Sequence, residues 1–273
     1  MKNTHYLLLM LLAVCQTGFC QEKTDTAALV KEFKKVMEFG TQPYLYYSTV
    51  TKMESEPVIE AQDTATMNGV FYKNGTDLYY KSGPEEVYLQ DSLMIQINQQ
   101  RKTIWISRVD MASKEKLNTM QVGNRQFNEL MRKNFTIQKA SMANNTARLS
   151  FETKQMAGRS AVISTRAGLL FTEKEHLPQQ IEIEMRMQQP ANDEMIAQIK
   201  NQGVDERKLI QLINGQQYLV RMQKMSVAFE HIDHSKEKVM QMPLWKDILD
   251  FNTAEQTYTG KAAYAEYEVT KTF

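Results

Sequence analysis

Apolar and polar residues alternate along several segments of the chain. From Ile181 to Met187, apolar side chains occupy every second position, and Glu182, Glu184 and Arg186 lie between them. The segment 93–98 alternates in the same way. Successive side chains of a strand point to opposite faces, so a period of two predicts an antiparallel sheet with one apolar face and one face in water.

A different spacing predicts a helix over residues 24–39. Leu29, Phe33 and Val36 recur at steps of three and four residues and make one apolar stripe, which Gly40 can end. A second helical segment is predicted over 192–214, where apolar residues again recur in short groups.

Turn residues separate the predicted strands. Asn74-Gly75 lies between the apolar runs 67–73 and 76–81, and this dipeptide is a strong hairpin signal. Residues 143–145 and 172–178 predict two further hairpin loops. No internal repeat or low-complexity linker interrupts the series. We therefore expect an α+β fold, with residues 21–273 forming a single domain and a C-terminal extension beginning at about residue 190.

Residues 1–20 have the pattern of a secretory signal peptide. Lys2 supplies a basic start, residues 6–15 are mostly apolar, and the small residues Gly18 and Cys20 precede a cleavage site before Gln21. Export of a soluble protein to the periplasm is the expectation. After Gln21 no apolar run reaches the length of about 18 residues that a transmembrane helix needs.

Both cysteines of the chain, Cys15 and Cys20, lie within this segment. Lipid attachment at one of them is the competing interpretation and would make an outer-membrane lipoprotein. A lipoprotein signal needs a small residue just before the cysteine, whereas Val14 and Phe19 occupy those positions. Cleavage before Gln21 is therefore favoured, and it leaves a mature chain without disulfides or thiols.

The charge of the chain is balanced. It carries 33 Lys and Arg against 32 Asp and Glu, and the only charged residue in the signal segment is Lys2, so the remainder has 32 of each. A balanced chain has no general attraction for nucleic acid, so no nucleic-acid partner is expected.

The chemically reactive side chains do not form a recognisable motif. His231 and His234 are three residues apart, but the surrounding alternation predicts a strand, which would point them to opposite faces rather than towards one zinc ion. Glu182 and Glu184 alternate with apolar residues, as the wet face of a strand does. We therefore expect no catalytic residue, no metal and no cofactor, and the protein is not expected to be an enzyme.

Methionine and tyrosine are unusually frequent. Of the 18 methionines, 16 follow the signal segment, and seven tyrosines lie between Tyr44 and Tyr88. Methionine adapts to irregular apolar partners, and tyrosine combines an apolar ring with a hydroxyl group that can face water. A cavity lined by such residues would bind a hydrophobic ligand, although ordinary core filling explains the methionines as well.

The order of these segments resembles the LolA/LolB family of periplasmic lipoprotein carriers. The match rests on the helix 29–39 before the first strand, on Gly69-Val70-Phe71-Tyr72, and on the Leu177-Pro178 turn before Ile181. The resemblance implies an antiparallel half-barrel with helices packed on its concave side, where acyl chains are held. The family's carriers have an Arg-Pro pair near the end of the second strand, where this chain has Asn74-Gly75.

The resulting hypothesis is a non-catalytic carrier that binds a lipid or a lipoprotein acyl chain in an open β-barrel. The alternation of side chains assigns one face of each strand to the lining. The candidates are Leu45, Tyr47, Val70, Tyr72, Leu78, Tyr80, Ile95, Ile97, Ile104, Ile106, Ile181 and Ile183. The alternative is an envelope scaffold or interaction protein, whose concavity is filled by its own helices, 24–39 or 192–214, and which binds an envelope protein partner.

The signal segment makes a prediction about the mature protein. Cleavage should leave Gln21 as the first residue, and the protein should fractionate with soluble periplasmic material. Intact-mass measurement of the purified protein tests this. Retention of residues 1–20, or the mass of a diacylglycerol on Cys15 or Cys20, would contradict it.

Overall fold

The computed structural model describes residues 26–110, 112–114, 131, 133–153, 162–203, 205, 209–213 and 215–273. The proposed signal peptide, 1–20, lies outside these residues.

The described helices of at least four residues are α1 (Thr26–Met37), α2 (Asp193–Asn201) and α3 (Lys236–Val239). The strands are β1 (Tyr44–Glu56), β2 (Thr66–Asn74), β3 (Asp77–Ser82), β4 (Glu85–Gln90), β5 (Leu93–Asn98), β6 (Thr103–Arg108), β7 (Phe135–Met142), β8 (Thr146–Thr153), β9 (Val162–Thr172), β10 (Pro178–Pro190), β11 (Ile210–Ile213), β12 (Gln216–Asp233), β13 (Leu249–Asn252), β14 (Thr257–Gly260) and β15 (Glu268–Lys271).

Most of the described residues belong to β-strands. Of the described strands, 13 share one sheet, and β13 and β14 form a separate hairpin. The strand order of the large sheet ends at β7 and β15, which do not pair with each other, so the sheet is not closed. Neighbouring strands pair in antiparallel fashion from β2 to β6, from β7 to β10, and between β10 and β12, whereas β15 pairs with β6 in parallel. The predicted β-rich, mainly antiparallel architecture is thereby confirmed, while a half-barrel of the LolA type stays a prediction.

The chain divides into two compact units. Among the described residues, the first unit contains 26–37, 51–66 and those of 122–228, and the second contains 38–50, those of 67–121, and 229–273. β1 and β12 each contribute residues to both units.

In the first unit, α1 covers the apolar face of β7, β8 and β9. Val30, Phe33 and Val36 of the helix are buried, at the spacing of one helix face. They pack against a cluster that includes Phe135, Ile137, Leu149, Phe151, Leu169 and Phe171. Phe33 meets Phe151 edge to face, with ring centroids 5.2 Å apart. The predicted helix of 24–39 is present, and its apolar stripe fills the sheet face beneath it.

An ion pair also ties α1 to the sheet. Lys139, on β7, lies 2.6 Å from a carboxylate oxygen of Glu32 on α1 and 3.0 Å from one of Glu173. Hydrogen bonds to these two carboxylates raise the pKa of Lys139. The lysine therefore stays charged at neutral pH and links α1 to the end of β7 and to the loop after β9.

In the second unit, the C-terminal segment covers the apolar face of β3 to β6. Met242, Ile248 and Leu249 are buried against side chains of these strands. The buried strand residues of this cluster are Tyr79, Tyr88, Leu93, Ile95, Ile97, Ile104 and Ile106. The segment after about residue 240, which the sequence predicts as part of an extension, is thus part of a core.

The turns agree with the sequence in most places. β7 and β8 are joined through Asn144 and Asn145, which both have positive φ, as the hairpin signal at 143–145 predicts. β2 and β3 also form the predicted hairpin, but Asn74 pairs with Asp77, so Gly75 and Thr76 are the loop residues. Gly75 takes φ +61°, a region that glycine adopts without steric cost.

The predicted helix over 192–214 is wrong in its second half. α2 ends at Asn201, and residues 210–213 form β11, which pairs with the start of β12. The β-branched residues Ile210 and Ile213 favour an extended backbone beside a neighbouring strand. Among the described residues, no helix is long and apolar enough to cross a membrane.

The packing of α1 predicts the effect of truncating its central aromatic ring. Phe33→Ala removes a buried ring from the cluster under the helix and should lower the free energy of unfolding by about 3–5 kcal/mol. Lys31→Ala, at an exposed position of the same helix, should change it by less than about 0.5 kcal/mol. Denaturant unfolding followed by circular dichroism measures both. Equal effects would show that α1 does not contribute to the core.

Candidate functional site

A cavity of about 520 Å³ lies on the polar side of the first unit. Its lining comes from β1, β7, β8, β9, β10 and β12. The strands place their apolar residues under α1 on the other side, so alternation leaves polar residues here. Glu182 and Glu184, which the sequence assigns to solvent, line this cavity.

The strand register brings the polar residues into two rows. One row runs across the sheet through Thr136, Glu152, Arg166, Glu184 and Lys224. The adjacent row runs through Gln138, Ser150, Gly168, Glu182 and Ser226. The first row alternates in charge, and the second has the small residues Ser150, Gly168 and Ser226, of which Gly168 is buried beneath Arg148.

Gly168 lets an arginine lie across the sheet. The Arg148 guanidinium extends from β8 to the Glu182 carboxylate on β10, with Nη2 2.5 Å from Oε2. A Cβ added to Gly168, on the strand between them, would lie only 2.7 Å from Arg148 Nη2. Glycine at this position therefore gives the arginine room to reach its partner.

Glu184 is shared between two cations. Arg166 Nη1 and Lys224 Nζ are each 3.8 Å from one of its oxygens, while Arg166 Nε donates to Glu152 at 2.9 Å. A separation of 3.8 Å is too long for a hydrogen bond. Within the described residues, Glu184 and Lys224 thus attract each other without filling their hydrogen-bonding capacity.

All these ion pairs are in contact with water. The Arg148 and Glu182 side chains are 43% and 42% exposed, and those of Lys224 and Glu184 are 58% and 31% exposed. Exposed pairs of this kind contribute about 0–1 kcal/mol each. A charged ligand could therefore replace one partner at little cost.

The second unit holds a buried carboxylate, Glu86, which is 2% exposed. Tyr79 and Tyr88 donate to its Oε2 at 3.2 Å, and Lys81 donates to Oε1 at 3.0 Å. The Gln99 amide also donates to Oε1, and the Tyr264 hydroxyl lies 3.3 Å from it. Five side chains saturate this carboxylate, so we interpret the cluster as a structural contact that holds the C-terminal segment.

Burial and this carboxylate raise the pKa of the surrounding tyrosines. Desolvation is the larger cause, and the Glu86 charge adds to it, for Tyr79 and Tyr88. The same two causes raise the pKa of Tyr264 to about 12. These hydroxyls therefore stay protonated and act as donors to Glu86 over the physiological range.

The C-terminal segment is also held through its backbone. The Gln90 side chain donates to the carbonyl of Pro243 at 2.7 Å and accepts from the backbone N–H of Trp245 at 2.9 Å. The Trp245 indole donates to Asp91 at 3.2 Å, which lowers the pKa of that carboxyl.

The predicted lining residues do not all lie on one face. The register places six of them on the face under the C-terminal segment: Val70, Tyr72, Ile95, Ile97, Ile104 and Ile106. Tyr72 pairs with Tyr79, so Leu78 and Tyr80 point to the opposite face. Tyr47 stacks on Phe71 with centroids 4.9 Å apart, which places Tyr47 and Leu45 on the same face as Tyr80.

The remaining two candidates lie in the first unit. Ile181 packs against the cluster under α1, and Ile183, two residues further along β10, is buried. The six candidates beneath the C-terminal segment and Ile181 pack in apolar clusters, whereas Ile183, although buried, is one of the residues that line the cavity of the first unit.

The two histidines lie near the end of β12. His231 is in the strand, while His234 follows it and contacts the carbonyl of Tyr44 through Nδ1 at 3.2 Å. In the described part of the chain, no three His, Cys, Asp or Glu side chains come together as a metal site.

Sequence patterns alone did not single out Arg148, Arg166 and Lys224. Each lies on a different strand, and only the register brings them beside Glu182 and Glu184. The local signal is that polar and charged residues alternate with apolar residues in β8 and β10. It marks the polar face but not which charges pair.

Comparisons with known proteins do not assign a family. No family model matches the chain, and no curated protein matches it. A solved structure of a DUF1329 family protein from Desulfovibrio piger ATCC 29098 is similar, with 10% identity, coverage of 78% of this chain and 95% of that chain, and a TM-score of 0.31. MucB in complex with MucA(peri) gives 8% identity, 72% and 92% coverage, and a TM-score of 0.13. These scores are too low to establish a shared fold, and the resemblance to lipoprotein carriers stays a hypothesis.

The tyrosine cluster predicts a loss of stability at alkaline pH. The pKa of Tyr264 is about 12 in the folded chain against 10.0 ordinarily, so between these values the unfolded chain has released a proton that the folded chain retains. The free energy of unfolding should therefore be fully maintained below about pH 10 and fall as the pH rises towards 12. Tryptophan fluorescence reports on the second unit, since both Trp105 and Trp245 lie there.

A pair of variants isolates the contribution of Tyr264. Tyr264→Phe removes its hydrogen bond to Glu86 and should lower the free energy of unfolding at neutral pH by about 1–2 kcal/mol. At alkaline pH the free energy of unfolding of this variant should fall less steeply than that of the wild type. Tyr267→Phe removes a neighbouring hydroxyl that does not contact Glu86 and is the control. An unchanged alkaline slope in Tyr264→Phe would contradict this assignment.

Proposed function

We propose that this chain is an exported, non-catalytic interaction protein of the cell envelope whose apolar strand faces are filled by its own chain. The observation that carries the proposal is the covering of both apolar faces. α1 covers the face in the first unit, and the segment around Met242 to Leu249 covers the face in the second.

A lipid carrier needs the opposite arrangement. An acyl chain gains about 0.8 kcal/mol for each CH₂ that it buries, so a chain of a dozen carbons gains roughly 10 kcal/mol before entropic costs. To reach the first unit's apolar face, it would have to displace Val30, Phe33 and Val36, which are 2%, 8% and 0% exposed. Each displaced side chain loses burial worth about 1.5–3 kcal/mol, which offsets much of that gain.

The surface that remains for a partner is polar. The cavity of the first unit is lined mainly by charged side chains, amides and hydroxyls, together with the apolar residues Phe151, Ala167, Ile183 and Met225. Such a surface favours a partner that presents charge and hydrogen-bonding groups, since a buried acyl chain would leave these groups without partners. This favours an interaction protein over a lipid carrier.

Export enters the proposal from the sequence. The basic start, the short apolar run and the small residues before Gln21 are the basis for periplasmic localisation. A mature chain without cysteine is compatible with an oxidising compartment, because it has no thiol to be oxidised. The two large apolar clusters supply the stability that disulfides give many exported proteins.

An acyl-binding measurement tests the proposal. A fluorescent dodecanoyl probe titrated into the mature wild-type protein should give no saturable signal, and lipid extraction followed by mass spectrometry should recover no stoichiometric lipid. A known fatty-acid-binding protein serves as positive control. Saturable binding with one site per chain, or co-purified lipid at molar ratio, would overturn the proposal and restore the lipid carrier.

A further inference from the structure

The cavity of the first unit has equal numbers of positive and negative side chains. The basic lining residues are Lys52, Arg148, Arg166 and Lys224, and the acidic ones are Glu54, Glu152, Glu182 and Glu184. Its volume, about 520 Å³, lies within the range of roughly 300–1,000 Å³ that is usual for ligand sites. The chemistry of a ligand can therefore be inferred from the arrangement of these charges.

The lining disfavours a phosphate or nucleic acid, a neutral sugar and an acyl chain. A phosphate or nucleic acid needs an excess of positive charge, which this lining does not have. A neutral sugar or an acyl chain needs exposed aromatic or apolar side chains. Of the apolar lining residues, Phe151 and Ile183 are only 3% and 6% exposed, and Phe151 directs its ring to Phe33 in the core. Ala167 and Met225 are the partly exposed apolar residues of the lining.

Glu184 and Lys224 are the groups best placed to contact a ligand. They face each other across β10 and β12, and their charged atoms are 3.8 Å apart. Because this separation is too long for a hydrogen bond, the carboxylate can accept from a ligand cation while the ammonium donates to a ligand anion. Both would exchange contacts with water for charge-assisted hydrogen bonds to the ligand.

The floor of the cavity permits close approach. Ser150, Gly168 and Ser226 lie in one row, adjacent to the row that contains Glu184 and Lys224. Ser150 and Ser226 are partly exposed and leave room for a ligand between the charged side chains, whereas the Arg148 guanidinium covers Gly168. The Arg148–Glu182 ion pair extends over Gly168 and is a second pair of opposite charges in the cavity.

From these contacts we propose that the cavity binds a peptide segment of mixed charge, in which cationic and anionic side chains alternate. The peptide's cation pairs with Glu184 and its anion with Lys224. This inference rests on the proposed function, because it names the chemistry of the partner that the interaction protein would hold. The peptide is either a free fragment or a segment of a folded partner, and the two share this chemistry.

Fluorescence anisotropy with defined peptides tests the inference. The probes are short, end-blocked, fluorescein-labelled peptides of alternating Lys and Glu, of Lys alone, and of Glu alone. The mixed peptide should bind the wild-type protein more tightly than either single-charge peptide, and its affinity should fall with added salt. Glu184→Gln and Lys224→Gln should each weaken binding about tenfold.

Two further variants separate a ligand contact from a structural role. Arg186→Gln lies on the same face of β10, is exposed and is outside the cavity lining, so it should leave affinity unchanged. Glu184→Lys should weaken binding, and the double variant Glu184→Lys with Lys224→Glu should recover it, because both charges are again present. Circular dichroism confirms that each variant is folded.

The outcomes separate this inference from the proposed function. Equal affinity of wild type and Glu184→Gln, tighter binding of a single-charge peptide, or no binding of the mixed peptide would each overturn the inference. None of these results depends on the acyl-binding measurement, which tests the proposed function separately. Saturable acyl binding or co-purified lipid would overturn the interaction protein, whereas the peptide results would overturn only this inference. If the bound peptide is a segment of a folded partner, that partner should bind the wild-type protein and compete with the mixed peptide. If the source is a free fragment, the mixed peptide should bind with no competition from folded proteins.

Discussion

Large apolar side chains of β7 to β9 form one face and those of β3 to β6 form another, and both faces must be covered. Strands with alternating side chains cannot leave a row of large apolar residues in water without a large loss of free energy. In the first unit α1 meets this requirement with three buried side chains, and in the second unit the C-terminal segment does so. Once both faces are covered by the chain itself, the polar faces are what a partner can contact.

Local patterns in the sequence were sufficient for the elements that depend on near neighbours. The spacing of Leu29, Phe33 and Val36 predicts α1, and alternation along β10 separates Ile181 and Ile183 from Glu182 and Glu184. The paired asparagines at 144 and 145 mark a turn because they tolerate positive φ. These features arise within a few residues, so the sequence shows them directly.

Relations between strands were not predictable in this way. The structure places Leu78 and Tyr80 on the face opposite to Tyr72, because Tyr72 pairs with Tyr79 and successive side chains of β3 point to opposite faces. A shift of one residue in register moves every side chain to the other face. The charged rows of the cavity depend on the register of several strands at once, and residues 210–213 became a strand through pairing with β12. Such pairings depend on residues far apart in the chain.

Two carboxylates show how surroundings decide the role of a side chain. Glu86 is buried, and five side chains of the second unit donate to it or contact it, so no capacity remains for a ligand. Glu184 is partly exposed, and its two cationic neighbours are both beyond hydrogen-bonding distance. Removing a donor from Glu86 leaves a buried charge poorly compensated, which costs stability. Removing a neighbour of Glu184 leaves a charge that water can solvate, so its side chain can exchange partners without loss of the fold. The capacity for recognition therefore lies with the weakly paired charges on the polar face.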